Sequence, residues 1–390
     1  MLIGMDVHKH SVFVTEMEEE GNVKDQYEMS NDDESWESFL SRYSVYGNEI
    51  ALEISTTGKF IARKLRNMGF SVHIADPVKL DLIFNTTKKN DREDSYKLAK
   101  LLRLGELPEV HLPSKESDDL RSITRYRKSI GEEITMLKNR IHALLSSYGI
   151  SIEATDIFGK KGTAEIDKVS KILSESDRFI LSSILDRIAS LFHQERSVED
   201  QISRMVLNNR NVARIMTIPG INVYSAAVVI SEIDDISRFA TKEKLASYAG
   251  LVPRQDQSGN RDIKGHITKH GPSMLRFILV NAAHIVIKYS KRLRSKYLSL
   301  VRRLGKNRSI VAIARILLEM IYTMLKNGED FVDEIDSLTE RKMISMQIRA
   351  KNPSPVRKLE ELMKSIKKNK DTMKFINEKM IRGAPKELFS

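Results

Sequence analysis

The sequence predicts an α/β N-terminal domain followed by a mainly helical remainder, on three observations. Residues 2 to 29 read as three short apolar runs separated by tight turns. Strand and helix periodicities then alternate up to about residue 102. Beyond residue 113 the apolar spacing is three and four almost throughout, which is the helical period.

Leu2-Ile3-Gly4-Met5-Asp6-Val7 is an apolar run with one acid set into it, and Ser11 to Met17 follows at once. A turn at Glu20-Gly21-Asn22 leads into Val23 to Met29, so three strands form an antiparallel meander. A helix is expected over Asp33 to Tyr46, a strand over Ile50 to Ile54, a helix from Lys59 to Met68 closed by Gly69, and a strand over Phe70 to Ala75. Such alternation implies right-handed crossovers and parallel strands. Another helix follows Pro77, and one opening at Lys89-Asn90-Asp91-Arg92-Glu93-Asp94-Ser95 runs on through Leu98, Leu101 and Leu102. A three-stranded meander followed by parallel βα units is the order of a ribonuclease-H-like sheet, whose first and fourth strands lie side by side.

That order gives four acids a common purpose. Asp91 and Asp94 stand three apart on a helix and present two carboxylates on one face. Taken alone they also read as a capped helix start, with Asn90 as cap and the acids complementing the macrodipole. Asp6 and Glu53 lie inside apolar strands, where a carboxylate is costly unless something neutralises it. The four together are candidate ligands of a divalent metal. With no cysteine in 390 residues, thiolate ligands and disulfides are excluded, so oxygen or imidazole must hold any metal.

From about Pro113 to Arg210 the pattern is almost wholly helical, with Ile130, Ile134, Leu137, Ile141, Leu144 and Leu145 as the stripe of one long segment, Leu120 to Ser147. A loop around Phe158 to Thr163, marked by Gly159 and Gly162, separates two arms of an expected antiparallel coiled-coil spacer. Met216 to Ala227 reads as a helix-hairpin-helix, whose turn, Pro219, Gly220, Ile221 and Asn222, points backbone amides of its non-proline residues and a helix N-terminus at a phosphate; an ordinary tight helix pair is the alternative. Next comes a loop rich in glycine and basic residues, from Tyr248 to Pro272, ahead of a helix. Arg254, Arg261, Lys264, Lys269 and Arg276 are its candidate nucleic-acid contacts. The Ser258-Gly259 pair, without context, is a turn.

Hydrophobic residues make up 41% and charged residues 30% of the chain, a globular balance with room for two or three cores. The net charge of +11 favours a polyanionic partner. No signal peptide or membrane-length apolar run is evident, so a cytoplasmic, nucleoid-associated prokaryotic protein without a membrane partner is expected.

These segments resemble the DEDD-type insertion-sequence transposases, also described as bridge-RNA-guided recombinases. The resemblance is carried by Gly4-Met5-Asp6-Val7-His8-Lys9, by Leu52-Glu53 before Thr57-Gly58, and by Lys89 to Ser95 leading into Leu98-Ala99. In the second half it is carried by Gly250-Leu251-Val252-Pro253, Ser258-Gly259, Gly265-His266-Ile267-Thr268-Lys269-His270-Gly271 and Leu275-Arg276. Departures are Asn90, Ser95, a longer gap between Glu53 and Gly58, and Gln257 where the family has the first of two serines. The resemblance covers residues 1 to 330. It implies a RuvC-like metal-dependent domain at 1–110, a helical spacer at 111–210 and a serine-bearing transposase domain at 211–330; outside it, residues 331–390 read from their own pattern as a charged helical tail. It further implies one or two Mg²⁺ ions, with Mn²⁺ as substitute, held by Asp6, Glu53, Asp91 and Asp94. Ser258 would be the nucleophile, forming a transient phosphoserine link to DNA, with Ser273 as the alternative position. Donor and target DNA, a non-coding guide RNA and a homodimer or homotetramer complete the implied assembly. Two other readings compete: a metal-dependent nuclease or junction resolvase using water as nucleophile, and a non-catalytic architectural DNA binder.

Overall fold

The chain divides at Pro113 into two units, Met1–Pro113 and Ser114–Ser390. The structure, a computed structural model, describes residues 1–84, 90–151, 158–258 and 261–351, and of residues 160, 161, 163, 255–258 and 261–264 the backbone alone. Lys89 and the tail beyond residue 351 therefore lie outside the described residues.

The first unit opens with β1 (Leu2–Val7), β2 (Ser11–Met17) and β3 (Val23–Ser30), followed by α1 (Asp33–Arg42), β4 (Glu49–Glu53), α2 (Thr56–Asn67), β5 (Ser71–Ala75), α3 (Pro77–Phe84) and α4 (Asp91–Leu104). The sheet order is β3-β2-β1-β4-β5, with the meander antiparallel and the β1–β4 and β4–β5 pairs parallel. This mixed sheet has the ribonuclease-H-like order. α1 is shorter than its sequence pattern suggests, because Tyr43 turns into extended backbone and buries its ring against Phe39.

Strand alternation sorts the two faces. Ile3, Met5, Ile50 and Leu52 point into a core with Trp36 and Phe39 of α1 and Ile61 and Leu65 of α2. The opposite face carries small residues, and Gly4 sits across from Ala51. There α4 lies against the sheet: a Cβ on Gly4 would stand 2.0 Å from the Ser95 carbonyl oxygen and 2.6 Å from the Ala99 nitrogen. Both are backbone atoms of the helix, so no side-chain rotation relieves the clash. Gly4→Ala is expected to cost about 1–3 kcal/mol of stability as an overpacking change, read as a lower urea midpoint at unchanged slope; an unaltered midpoint would mean that α4 shifts freely.

The second unit begins with two 32-residue helices, α5 (Lys115–Ser146) and α7 (Glu175–Val206), joined through α6 (Lys160–Ser170). The long pair runs antiparallel: Arg127 meets Glu199 at 2.7 Å, Arg187 pairs with Glu133, and the Tyr148 hydroxyl donates to Asp177 at 2.5 Å. Ile130, Ile134, Leu137, Ile141 and Leu145 pack against Leu181, Leu185 and Ile188, with Ile166 and Val169 of α6 beside them. The stretch expected as a loop over 158–163 thus turns helical at Lys160, with Gly159 as the N-cap and Gly162 inside the first turn of α6.

The unit continues with α8 (Arg210–Met216), α9 (Val223–Ile233), a short 3₁₀ turn (Ile236–Arg238) and α10 (Lys242–Tyr248), then β6 (Pro253–Ser258), β7 (Arg261–Ile267), α11 (Ser273–Tyr289), α12 (Lys291–Leu304), α13 (Lys306–Asn327) and α14 (Asp336–Lys351). Val229, Leu275, Leu279, Ala283, Ile313 and Leu317 lie in its core. α14 is fastened to this body, with Met346 buried and Lys342 donating to the carbonyls of Met216 and Ile218 at 2.6 and 2.8 Å. The basic loop read from the sequence contains an antiparallel strand pair, β6–β7. A Gly-Asn pair between two short runs, as at Gly259-Asn260, is a hairpin signal; those two residues lie outside the described ones.

Candidate functional site

In the first unit, the geometry that brings α4 close also sets the acids. Asp6 lies two residues beyond Gly4 and Glu53 two beyond Ala51, so both belong to the face that α4 covers. The β1–β4 register, ending with Met5 opposite Leu52, carries the two acids to the same level at the strand ends. α4 starts there. Asn90 caps it by accepting from the Arg92 amide at 3.1 Å. The Ser95 and Thr15 hydroxyls meet at 2.7 Å, and the Arg92 guanidinium donates to the Gln26 side chain at 2.7 Å. These tethers fix the first turn of α4, and with it Asp91 and Asp94, over β1 and β2. Asn90 is thus the cap of the helix whose first residue, Asp91, stands near Asp6.

Asp6, His8 and Asp91 offer ligand atoms that all lie within 4.8 Å of one another. His8 Nε2 stands 3.3 Å from an Asp6 oxygen and 3.4 Å from an Asp91 oxygen. Glu53 and Asp94 fall outside that group: Glu53 is half-buried at the end of β4, and Asp94 accepts from Lys97 Nζ at 2.8 Å. Sequence reasoning does not single out His8 as a ligand. The available signal is its place two residues after Asp6, on the same side of an extended chain.

Burial pushes the Asp6 carboxyl above the usual carboxylate range; His8 opposes the shift, and the neighbouring Asp91 and Asp94 add to it. The contrast with Glu16 is instructive. Glu16 is a buried acid of β2, but Arg42 lies 2.6 Å away and the Tyr43 hydroxyl donates to it, so it is already neutralised. Among the described residues Asp6 has no Lys or Arg partner. Ligands about 2.1 Å from a Mg²⁺-sized ion stand roughly 3–4 Å apart, so a small closure of this group brings it to that spacing. Two carboxylates and one imidazole suit a hard or borderline divalent ion.

In the second unit, backbone meets backbone around the motif glycines. A Cβ on Gly250 would fall 2.2 Å from the His270 oxygen, and one on Gly271 would fall 1.9 Å from the Tyr248 oxygen. Arg276 locks this crossing: one guanidinium nitrogen donates to the carbonyls of Ala249, His270 and Gly271 at 2.9–3.0 Å. From this base β6 and β7 extend, and Ser258 ends β6 opposite Arg261. The side chains of Ser258, Arg261 and Lys264 lie outside the described ones; Arg254 and Lys269 are exposed. Ser273 is exposed at the start of α11 and borders a cavity of about 370 Å³ with Arg125, Lys128, Glu132 and Glu232.

The α8–α9 connection holds Pro219 and Ile221 buried, Gly220 half-buried and Asn222 exposed. Gly220, at φ +92°, leans against Ile285 of α11, where a Cβ would meet the Ile285 Cβ at 2.7 Å. Asn222 caps α9 by accepting from the Ser225 amide at 2.9 Å.

Two family models match the chain. One, described as a transposase, spans residues 3–150; the other, described as the transposase IS116/IS110/IS902 family, spans residues 212–298. The transposase for insertion sequence element IS1111A of Coxiella burnetii is 25% identical, over 69% of this chain and 75% of its own length. The transposase for insertion sequence element IS1328 of Yersinia enterocolitica is 24% identical over 74% and 84%. A pilin gene-inverting protein of Moraxella bovis is 33% identical over a shorter part, 32% of this chain and 39% of that protein. Among the described residues, no helix is long and apolar enough to cross a membrane.

Proposed function

The chain belongs to the DEDD-type insertion-sequence transposases, and from that membership we propose that it excises and inserts a mobile DNA element by way of a transient protein–DNA bond. Asp6, Glu53, Asp91 and Asp94, joined by His8, would hold one or two Mg²⁺ ions, with Mn²⁺ as a substitute. A cation bound there supplies Lewis-acid polarisation of the scissile phosphate and offsets charge on the oxygens around it. Among the described residues Asp6 has no basic partner other than His8, so a cation is the counter-charge that its half-buried carboxylate lacks. The observation that carries this reading is the convergence of Asp6 and Asp91, from a strand and a helix far apart in sequence, on one point.

Ser258 is the proposed nucleophile. Its Oγ–phosphorus bond forms as the phosphorus–oxygen bond to one flanking sugar breaks, and the serine proton leaves with that sugar oxygen. A serine hydroxyl is weak at neutral pH and needs a base or cation nearby. Because the acids and the serine belong to separate units, we assign the acids of one subunit to act with the serine of another, which requires a homodimer or homotetramer. Residues 1–110 then form the metal-dependent domain, 111–210 a coiled-coil spacer and 211–330 the serine domain, with the Pro219–Asn222 turn acting as a helix-hairpin-helix toward DNA backbone. Target choice falls to a non-coding RNA that pairs with donor and target DNA, while the protein reads backbone shape and charge.

The test incubates the protein with Mg²⁺, labelled donor DNA and RNA transcribed from the element's flanks, and resolves the products on a denaturing gel. A covalent protein–DNA adduct that requires the cation supports the reading. Cation-dependent cleavage without any adduct points instead to water as nucleophile, and DNA binding without any product points to an architectural protein.

A further inference from the structure

Between Asp262 and Glu319 the chain has no Asp or Glu and thirteen Lys or Arg, although the whole chain has 53 acids in 390 residues. The densest part is α12, a 14-residue helix. Its Leu293, Tyr297 and Leu300, spaced at four and three, seat it on the core of the second unit. The rest of its circumference carries Lys291, Arg292, Arg294, Lys296, Arg302 and Arg303, all exposed. At 100° per residue they cover an arc of about 200°. Among the described residues none of the six has an acidic partner. Lys306 and Arg308, also exposed, extend the same charge beyond Gly305.

Six like charges on one short helix repel one another unless a polyanion lies against them. Some cations elsewhere in the unit are matched, as Arg127 is by Glu195 and Glu199. We propose that the exposed arc of α12 is a docking face for the phosphate backbone of duplex DNA, formed by residues that belong neither to the acid cluster nor to the serine-bearing hairpin. Fourteen residues of helix measure about 21 Å, a length of duplex bearing roughly twelve phosphates. A helix with cations on both flanks of its outer face suits a groove about 12 Å wide, with a phosphate strand on either side. That width belongs to B-form DNA; the deep, narrow major groove of A-form RNA does not admit such a helix. The proposal rests on the reading of DNA as substrate, and it asks nothing of the chemistry.

The test uses full-length protein and fluorescence anisotropy with a 30-base-pair DNA duplex of arbitrary sequence and the matching RNA duplex, over a salt series. In the quadruple variant Arg294→Gln, Lys296→Gln, Arg302→Gln, Arg303→Gln, DNA affinity is expected to fall at least about tenfold, and the slope of log affinity against log salt to shrink by about 3 to 4. The charge-preserving variant Arg294→Lys, Arg302→Lys, Arg303→Lys is expected to bind as wild type, which separates charge from folding. Unchanged DNA affinity and slope in the quadruple variant would overturn the proposal, as would a loss confined to the RNA duplex. If the wild-type protein binds no DNA duplex at all, the substrate reading falls with it.

Discussion

Asp6→Asn and Asp91→Asn are each expected to reduce DNA strand cleavage in Mg²⁺ by at least roughly a hundredfold, since even the outer partners of metal ligands are worth 10–100-fold. Glu16→Gln serves as the contrast: it disturbs a buried ion pair with Arg42 and should lower stability while leaving the residual folded protein active. Asp6→Asn has a second expected signature that a structural carboxylate would not give. Burial raises the Asp6 pKa, so the folded state binds its proton more tightly than the unfolded chain does. The stability linked to that proton is present at low pH and is lost as pH rises through the raised folded value. At neutral pH the ionised carboxylate is therefore a cost to the metal-free fold. Replacing it with Asn should raise the melting temperature in EDTA by roughly 1–3 °C. A lowered melting temperature would mean that Asp6 is held by favourable contacts and not poised for a cation. His8→Ala, which removes one of the three converging groups but no carboxylate, should weaken Mn²⁺ binding with a smaller loss of cleavage.

Ser258→Ala is expected to abolish the covalent protein–DNA adduct and all strand exchange, while duplex binding and cation binding stay within about twofold of wild type. Removing the nucleophile of a covalent mechanism costs several orders of magnitude. Ser273→Ala is the internal comparison. Its hydroxyl sits at the first turn of α11 above a basic and acidic cavity, whereas Ser258 ends a strand that extends from a locked backbone crossing. If the adduct persists in Ser258→Ala and vanishes in Ser273→Ala, the assignment moves to α11. If cleavage persists in both without any adduct, water is the nucleophile.

Much of the first unit is legible in the sequence because local and global signals agree there. β1 and β2 are read to the residue, since turn residues bracket them and apolar runs fill them. The closeness of α4 to β1 is legible only in part: Gly4 and Ala51 are small, but nothing local says which helix covers them. His8 escapes a periodicity argument because a lone histidine after a strand has no pattern to belong to. In the second unit the long helices follow from the stripe at Ile130, Ile134, Leu137 and Ile141. β6 and β7 do not, because glycines and charges outweigh the strand signal in that stretch. The role of Arg276 is equally hidden: a cation in a basic segment looks ready for phosphate, yet one of its nitrogens is surrounded by three carbonyls that sequence distance conceals.

Asn90, Thr15 and Gln26 hold the opening turn of α4 through protein atoms alone. The carboxylate of Asp91 therefore reaches its station with no ion to guide it there. An incoming cation meets a coordination shell half assembled by protein contacts and has only a small closure of Asp6, His8 and Asp91 to complete, so it forfeits little chain entropy on arrival. Discrimination between one divalent ion and another at this place then becomes a contest of ionic radius and hydration, not of refolding.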